Sequence, residues 1–170
     1  MLCTNFNICR SDKQESEINI EERIKTSRRT KYSLMSSGLH GTNVIDPTTS
    51  YNIYKLYVLP RLLYRLEIVA LKTKNIEKLD RFHKDTLRQF QSLPKRAAIP
   101  SVYVLLGALP IEAELHKRQL SFLYILLSAE HVKLKRIIER QLCVNFDNKD
   151  SFFHRIVEVL SMYNLPAIFN

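Results

Sequence analysis

Four cations recur at positions 74, 78, 81 and 88, and their spacing is the clearest chemical signal in the sequence. At about 100° per residue, Lys74, Lys78, Arg81 and Arg88 fall within about 80° of one another on a helix. They lie opposite an arc of Ile76, Leu79, Phe82, Thr86, Leu87 and Phe90. Such a row can hold phosphates through contacts that are salt-sensitive and largely independent of base sequence. It can also be a solvated face, because Glu77–Arg81 and Asp80–Lys84 stand at i,i+4 spacing and would neutralise part of it. Lys72, Lys95 and Arg96 add charge at both ends and favour a polyanionic partner.

The net charge of +9 is concentrated in the same region. Residues 51–100 hold eleven Lys/Arg against four Asp/Glu, whereas 1–50 hold seven against six and 101–170 hold eight against seven. Other chemistries lack their residues. There is no Gly-rich phosphate loop, no Gly-x-Ser-x-Gly turn and no His/Cys metal spacing, and no two aspartates are adjacent, which argues against a two-metal polymerase centre. The five histidines are spread over different predicted elements. His83 lies near the apolar arc of its helix and is expected to be a hydrogen-bonded core residue, and His40 to serve a turn or packing role. Glu112 and Glu114 follow Pro110, where helix-dipole stabilisation accounts for them. Three scattered cysteines (Cys3, Cys9, Cys143) make no disulfide framework. With no signal-peptide core and no apolar stretch long enough to span a bilayer, a soluble cytoplasmic or nuclear chain without membrane partners is expected.

The elements that would position these residues read as all-α. Three glycines in 170 residues are few for a β-rich fold, and Leu, Ile, Lys, Arg and Glu favour helices. A polar segment, 1–17, precedes a helix from about Ile18, which carries Ile20, Ile24 and Leu34/Met35, with Glu21 and Glu22 early and Arg28, Arg29 and Lys31 late. Gly38 or Gly41 can cap its end. Asp46-Pro47 starts a second helix that runs through "LYVLPRLLYRLEIV" (56–69) and is kinked by Pro60. The third spans about Thr73 to Ser92 and is closed by Leu93-Pro94. A short helix is expected near Ser101–Ala108. Another follows Pro110, its second half apolar nearly all round and therefore buried. Two more are expected near 131–144 and 151–163, the last capped by Asp150 or Ser151. The expected fold is thus a bundle of about six to seven helices with a kinked central helix, divided as 1–17, 18–97 and 98–170.

The order of the phrases "INIEERIKTSRRTKYSLMSSGLHGTN", "YKLYVLPRLLYRLEI", "LDRFHKDTLRQFQSLPKRAAIPSVYVLLGALPIEAELHKRQLSFL" and "YNLPAIF" resembles the C-terminal part of reverse transcriptases from LINE-type (non-LTR) retrotransposons, from about Glu17 to Phe169. The resemblance implies the helical thumb and the region after it. The catalytic palm, with its paired aspartates and the Mg2+ they bind, would lie upstream, so this chain itself is expected to need no cofactor and to be a catalytically incompetent fragment. A thumb grips the template–primer duplex, so RNA–DNA hybrid or duplex nucleic acid is the implied partner. A palm supplied in trans is another. Arg28, Arg29, Lys31 and Arg61 become contacts by position, with Lys74, Lys78, Arg81 and Arg88 as a second set. The chain departs from the family pattern at Arg65, where the phrase runs "RLLYGLE" with glycine, and at Ser36-Ser37 and Val44. An arginine inside that helix must reach solvent or displace a neighbour, the expected mark of a decayed copy. The rival reading is a helical protein-interaction fragment, or an element product with no selected function. Truncation of the polymerase would itself leave apolar thumb surface uncovered and favour self-association.

Overall fold

A computed structural model of the chain describes residues 11–36, 45–69, 71–145, 148–149 and 151–166. Several expectations lie outside the described residues: the caps at Gly38, Gly41 and Asp150, the turn at His40, the departures at Ser37 and Val44, and the cysteines at 3 and 9. The described residues are all-helical and contain no strand. The helices are α1 (Ser11–Ser36), α2 (Pro47–Ile53), a π-helical turn (Tyr54–Val58), α3 (Leu59–Leu62), α4 (Thr73–Phe90), α5 (Ile99–Leu106), α6 (Ile111–Ser128), α7 (Val132–Asn145) and α8 (Phe152–Met162). With α2, the π turn and α3 counted as one interrupted helix, they make seven, within the range expected.

The chain separates into two compact units. The first holds the residues up to Tyr64 together with Leu71–Ile111, and the second holds Arg65–Ala70 and Glu112–Asn170. Residues 98–111, grouped with the C-terminal region in the sequence reading, thus belong to the first unit.

In the first unit the interrupted helix shows how a proline is accommodated. Asp46 caps α2 by accepting a hydrogen bond from the Thr48 amide at 3.1 Å, and Pro47 occupies the first turn. Pro60 has no amide hydrogen and its ring crowds the carbonyl four residues earlier. The backbone widens ahead of it, and the Leu59 amide donates to the Tyr54 carbonyl five residues back. The helix then ends at Leu62, short of the Val69 limit expected from its apolar run. Arg65 is therefore not a mid-helix residue. It is exposed, in the turn beyond α3, with φ +58°. That left-handed conformation costs a residue with a Cβ about 1–2 kcal/mol, and glycine, the residue expected there from the resemblance, escapes most of it. The departure costs local backbone energy and leaves core packing intact. Arg65→Gly is expected to raise the free energy of unfolding by roughly 0.5–1 kcal/mol, after allowing for glycine's greater unfolded-state freedom. A shift in urea midpoint at unchanged m-value would show it; a lower midpoint would contradict it.

Helix α1 begins seven residues before the expected Ile18. Glu21 and Glu22 therefore lie near its middle, where the helix dipole no longer accounts for them, and Glu21 pairs instead with Lys78 on α4. Ile20, Ser27, Lys31 and Met35 form its buried stripe. Helix α4 matches its sequence pattern: Leu79, Phe82, His83, Thr86, Leu87 and Phe90 are buried. It ends in a Schellman arrangement. Ser92, at φ +52°, donates to the Gln89 carbonyl, and the Leu93 amide donates to Arg88. Gly107 ends α5 in the same way, its φ of +58° free of strain in glycine. Helix α5 itself starts two residues before the expected Ser101, because Pro100 fits a first helical turn.

The centre of this unit is Tyr54, fully buried against Phe90 at 5.7 Å between ring centroids and against His83 at 5.5 Å. His83 is also fully buried, as expected of a core histidine. Its Nε2 lies 3.0 Å from the Leu109 carbonyl oxygen, which can only accept. The proton therefore sits on Nε2, and Nδ1 accepts from the Tyr54 hydroxyl at 2.7 Å. Burial pushes the His83 pKa down to about 4, against smaller upward pulls from the Leu109 hydrogen bond and Asp80.

In the second unit, Leu123, Ile156 and Leu160 form a core joined by Leu120 and Phe152. Ser151 caps α8 by accepting from the Phe153 amide. Residues 65–69 are tied in by Arg155, which donates to the Val69 carbonyl at 2.6 Å, and by Gln119, which donates to the Glu67 carbonyl at 3.4 Å. The second half of α6 departs from expectation. Leu123 is buried, but Tyr124 is 72 % and Ile125 64 % exposed. The α8 side chains cover one face of α6, and an apolar composition all round does not supply partners for the others.

Candidate nucleic-acid interface

The two cation sets expected from sequence converge in the first unit, where α1 packs on α4. A groove of about 630 Å³ opens there, lined from α1 by Ile24, Arg28, Lys31 and Tyr32, and from α4 and its exit by Lys78, Arg81, Phe82, Asp85, Arg88, Gln89, Leu93 and Lys95. Positions 24, 28 and 31/32 recur on one face of α1, as do 78, 81/82, 85 and 88/89 on α4, so helical periodicity builds both walls. Among the described residues, six cations line the groove against one carboxylate, Asp85.

Of the eight residues singled out in the sequence, five (Arg28, Lys31, Lys78, Arg81 and Arg88) line this groove. Their environments differ. Arg28 and Arg81 are exposed and form no ion pair among the described residues. Lys78 meets Glu21 at 2.7 Å, so the stripe is neutralised in part from α1 rather than by Glu77. That contact holds the Glu21 carboxyl below its usual range, through the hydrogen bond first and the charge of Lys78 second. The expected Asp80–Lys84 pair forms, while Glu77 and Arg81 make none. Asp80 also accepts from the Tyr103 hydroxyl at 3.2 Å, and burial followed by the Asp80 charge pushes that phenol up. Arg88 is not the open contact its helical position implied. It is largely covered, 3.5 Å from Asp85 and from the Ala97 carbonyl, because Asp85 and the 91–98 turn fold over its guanidinium.

Lys31, a candidate backbone contact by position, is only 7 % exposed because it falls on the packed stripe of α1. Its Nζ donates to the Thr86 hydroxyl at 3.3 Å, and Thr86 donates to the Phe82 carbonyl at 2.8 Å. The ammonium also lies 5.8 Å from the ring centroids of Tyr32 and Phe82, a cation–π distance. Burial lowers its pKa; Asp85 opposes the shift and Arg28 adds to it.

The other three residues lie elsewhere. Arg29 and Lys74 are exposed and outside the lining. Arg61 donates to Thr30 on α1 at 2.7 Å and borders a separate depression with Glu22, Arg23, Thr26, Pro60 and Tyr64. It is there a bond between α3 and α1. Tyr32, Gln89 and Lys95 line the groove without having been singled out as contacts. Their signal was register: Gln89 follows Arg81 and Asp85 on one face of α4, and Tyr32 follows Ile24 and Arg28 on α1.

The arrangement can attract and hold a polyanion. Among the described residues, no three His, Cys, Asp or Glu side chains converge where a metal ion could sit. Among the same residues, no helix is long and apolar enough to cross a membrane. Compared with known proteins, the chain matches no family model, no curated protein and no solved structure.

Proposed function

We propose that the chain is a thumb-like helical module that binds the phosphate backbone of template–primer nucleic acid, an RNA–DNA hybrid or a duplex, through the groove between α1 and α4. It contributes grip and leaves polymerisation to carboxylates and Mg2+ elsewhere. One observation carries this reading: cations separated by some fifty residues in sequence line one groove, with a single carboxylate among its described lining residues. The resemblance of the sequence to the post-palm part of LINE-type reverse transcriptases supports the choice of nucleic acid.

Binding through four or five of these cations releases as many counterions, so log K for an RNA–DNA hybrid should fall linearly with log salt at a slope of about −4. Filter binding over a salt series measures it. Absence of binding at the lowest salt, or a slope near zero, would overturn the proposal. Primer extension by the chain alone is expected to give no product.

The exposed Tyr124, Ile125, Val132, Ile137 and Val144 of the second unit favour a second reading, a helical protein-interaction module that also self-associates. Under it, sedimentation shows concentration-dependent association and the groove cations can be reversed without effect on any activity.

A further inference from the structure

The groove contains a buried ammonium with no carboxylate in ion-pair contact among the described residues. Asp85, the one carboxylate among the described lining residues, acts on Lys31 from beyond ion-pair distance and is engaged by Arg88. Of the three donors on Nζ, one is used, on the Thr86 hydroxyl. The phenyl ring of Phe82 and the ring of Tyr32 flank the amine, and Tyr32 is itself 58 % exposed at the lip of the groove. Fixing an ammonium in such a place is costly unless an anion completes it. Thr86 and the two rings restrict where Nζ can point, unlike a solvated surface lysine. Arg28, one turn earlier on the same wall, and Arg81 opposite supply further donors to anything placed above Nζ.

We propose that Lys31, aimed by Thr86, forms a fixed subsite for one backbone phosphodiester of the bound strand, while the other groove cations attract the polyanion without fixing its position. The proposal rests on the nucleic-acid reading of the groove and assigns its register-setting residue. An oxyanion in the subsite would supply the charge that burial denies Lys31 and would reverse the downward shift of its pKa.

The test is Lys31→Met in the full chain, which keeps length and packing and removes charge. Losing one phosphate contact should make the salt slope for an RNA–DNA hybrid shallower by about one and weaken binding roughly three- to tenfold at about 50 mM salt. The thermal midpoint without nucleic acid should stay level or rise, since an uncompensated buried charge has gone. A purely structural Lys31 predicts a lower midpoint, and that result, or an unchanged slope, overturns the subsite. Thr86→Val keeps the charge but removes the hydroxyl that aims it, so affinity should fall at unchanged slope; wild-type affinity would count against the positioning. Inorganic phosphate, compared with chloride at equal ionic strength, separates the source of the anion. Stabilisation of the wild type by phosphate, with Lys31→Met binding the hybrid normally, overturns the backbone assignment in favour of a free-phosphate site. Failure of the wild type to bind any nucleic acid would instead overturn the groove reading itself.

Discussion

Reversing Arg28 and Arg81 together to glutamate is expected to weaken binding of an RNA–DNA hybrid by about 100-fold or more at low salt. The two side chains are exposed, stand on opposite walls and form no ion pair among the described residues. The double change takes the lining from six cations against one acid to four against three. Two contacts are lost and two repulsions gained, in a concave surface where the field of neighbouring charges adds. Stability should move by no more than about 0.5 kcal/mol, as for most surface substitutions, which separates loss of binding from loss of fold. The same reversal at Arg29 and Lys74, exposed but outside the groove, serves as control and should cost only a few-fold through long-range screening. Equal losses from the two pairs would mean a diffuse charge effect with no groove behind it.

Acid should destabilise the first unit, and His83 should account for most of the change between pH 7 and pH 5. Its folded pKa of about 4 lies below the ordinary value of 6.5. Between those values the unfolded chain takes up a proton that the buried, neutral ring refuses. The contribution is therefore fully present above about pH 6.5 and is lost as pH falls towards 4. Over pH 7 to 5 the loss is on the order of 2 kcal/mol, a large share of a small domain's stability. His116, whose pKa burial also lowers, adds a loss of the same sign in the second unit. Denaturant titrations at pH 7, 6 and 5 measure the slope. NMR of the imidazole nitrogens identifies its source: His83 should remain the neutral Nε2–H form at pH 5. A flat profile, or a His83 that charges near pH 6.5, would contradict the buried Tyr54–His83–Leu109 arrangement.

These residues also show what the sequence could reveal. Helix α4 was legible almost to the residue because its apolar and charged arcs are cleanly opposed and Leu93-Pro94 follows it. His83 fell on the apolar arc and could be placed in the core, but neither Tyr54 nor Leu109 could be named as its partner, since both contacts join distant positions. The apolar run of Leu, Tyr and Ile continues past Leu62 and hides the end of the second helix; the π turn before Pro60 and the left-handed Arg65 depend on backbone geometry that composition does not encode. Two cation sets were visible, yet their meeting in one groove depends on how α1 packs against α4. The burial of Lys31 follows from its register rather than its charge. Positions 20, 24, 27, 31 and 35 form one helical stripe, and a lysine on it is a buried lysine.

The most direct measurement is an amide chemical-shift titration of the labelled full chain with an RNA–DNA hybrid at low salt. Perturbations should concentrate on the two walls of the groove, around Arg28, Lys31 and Tyr32 on α1 and Lys78, Arg81 and Gln89 on α4, and should fade as salt is raised. Perturbations confined to α6–α8, or none at all, would contradict the groove between α1 and α4 as the nucleic-acid interface.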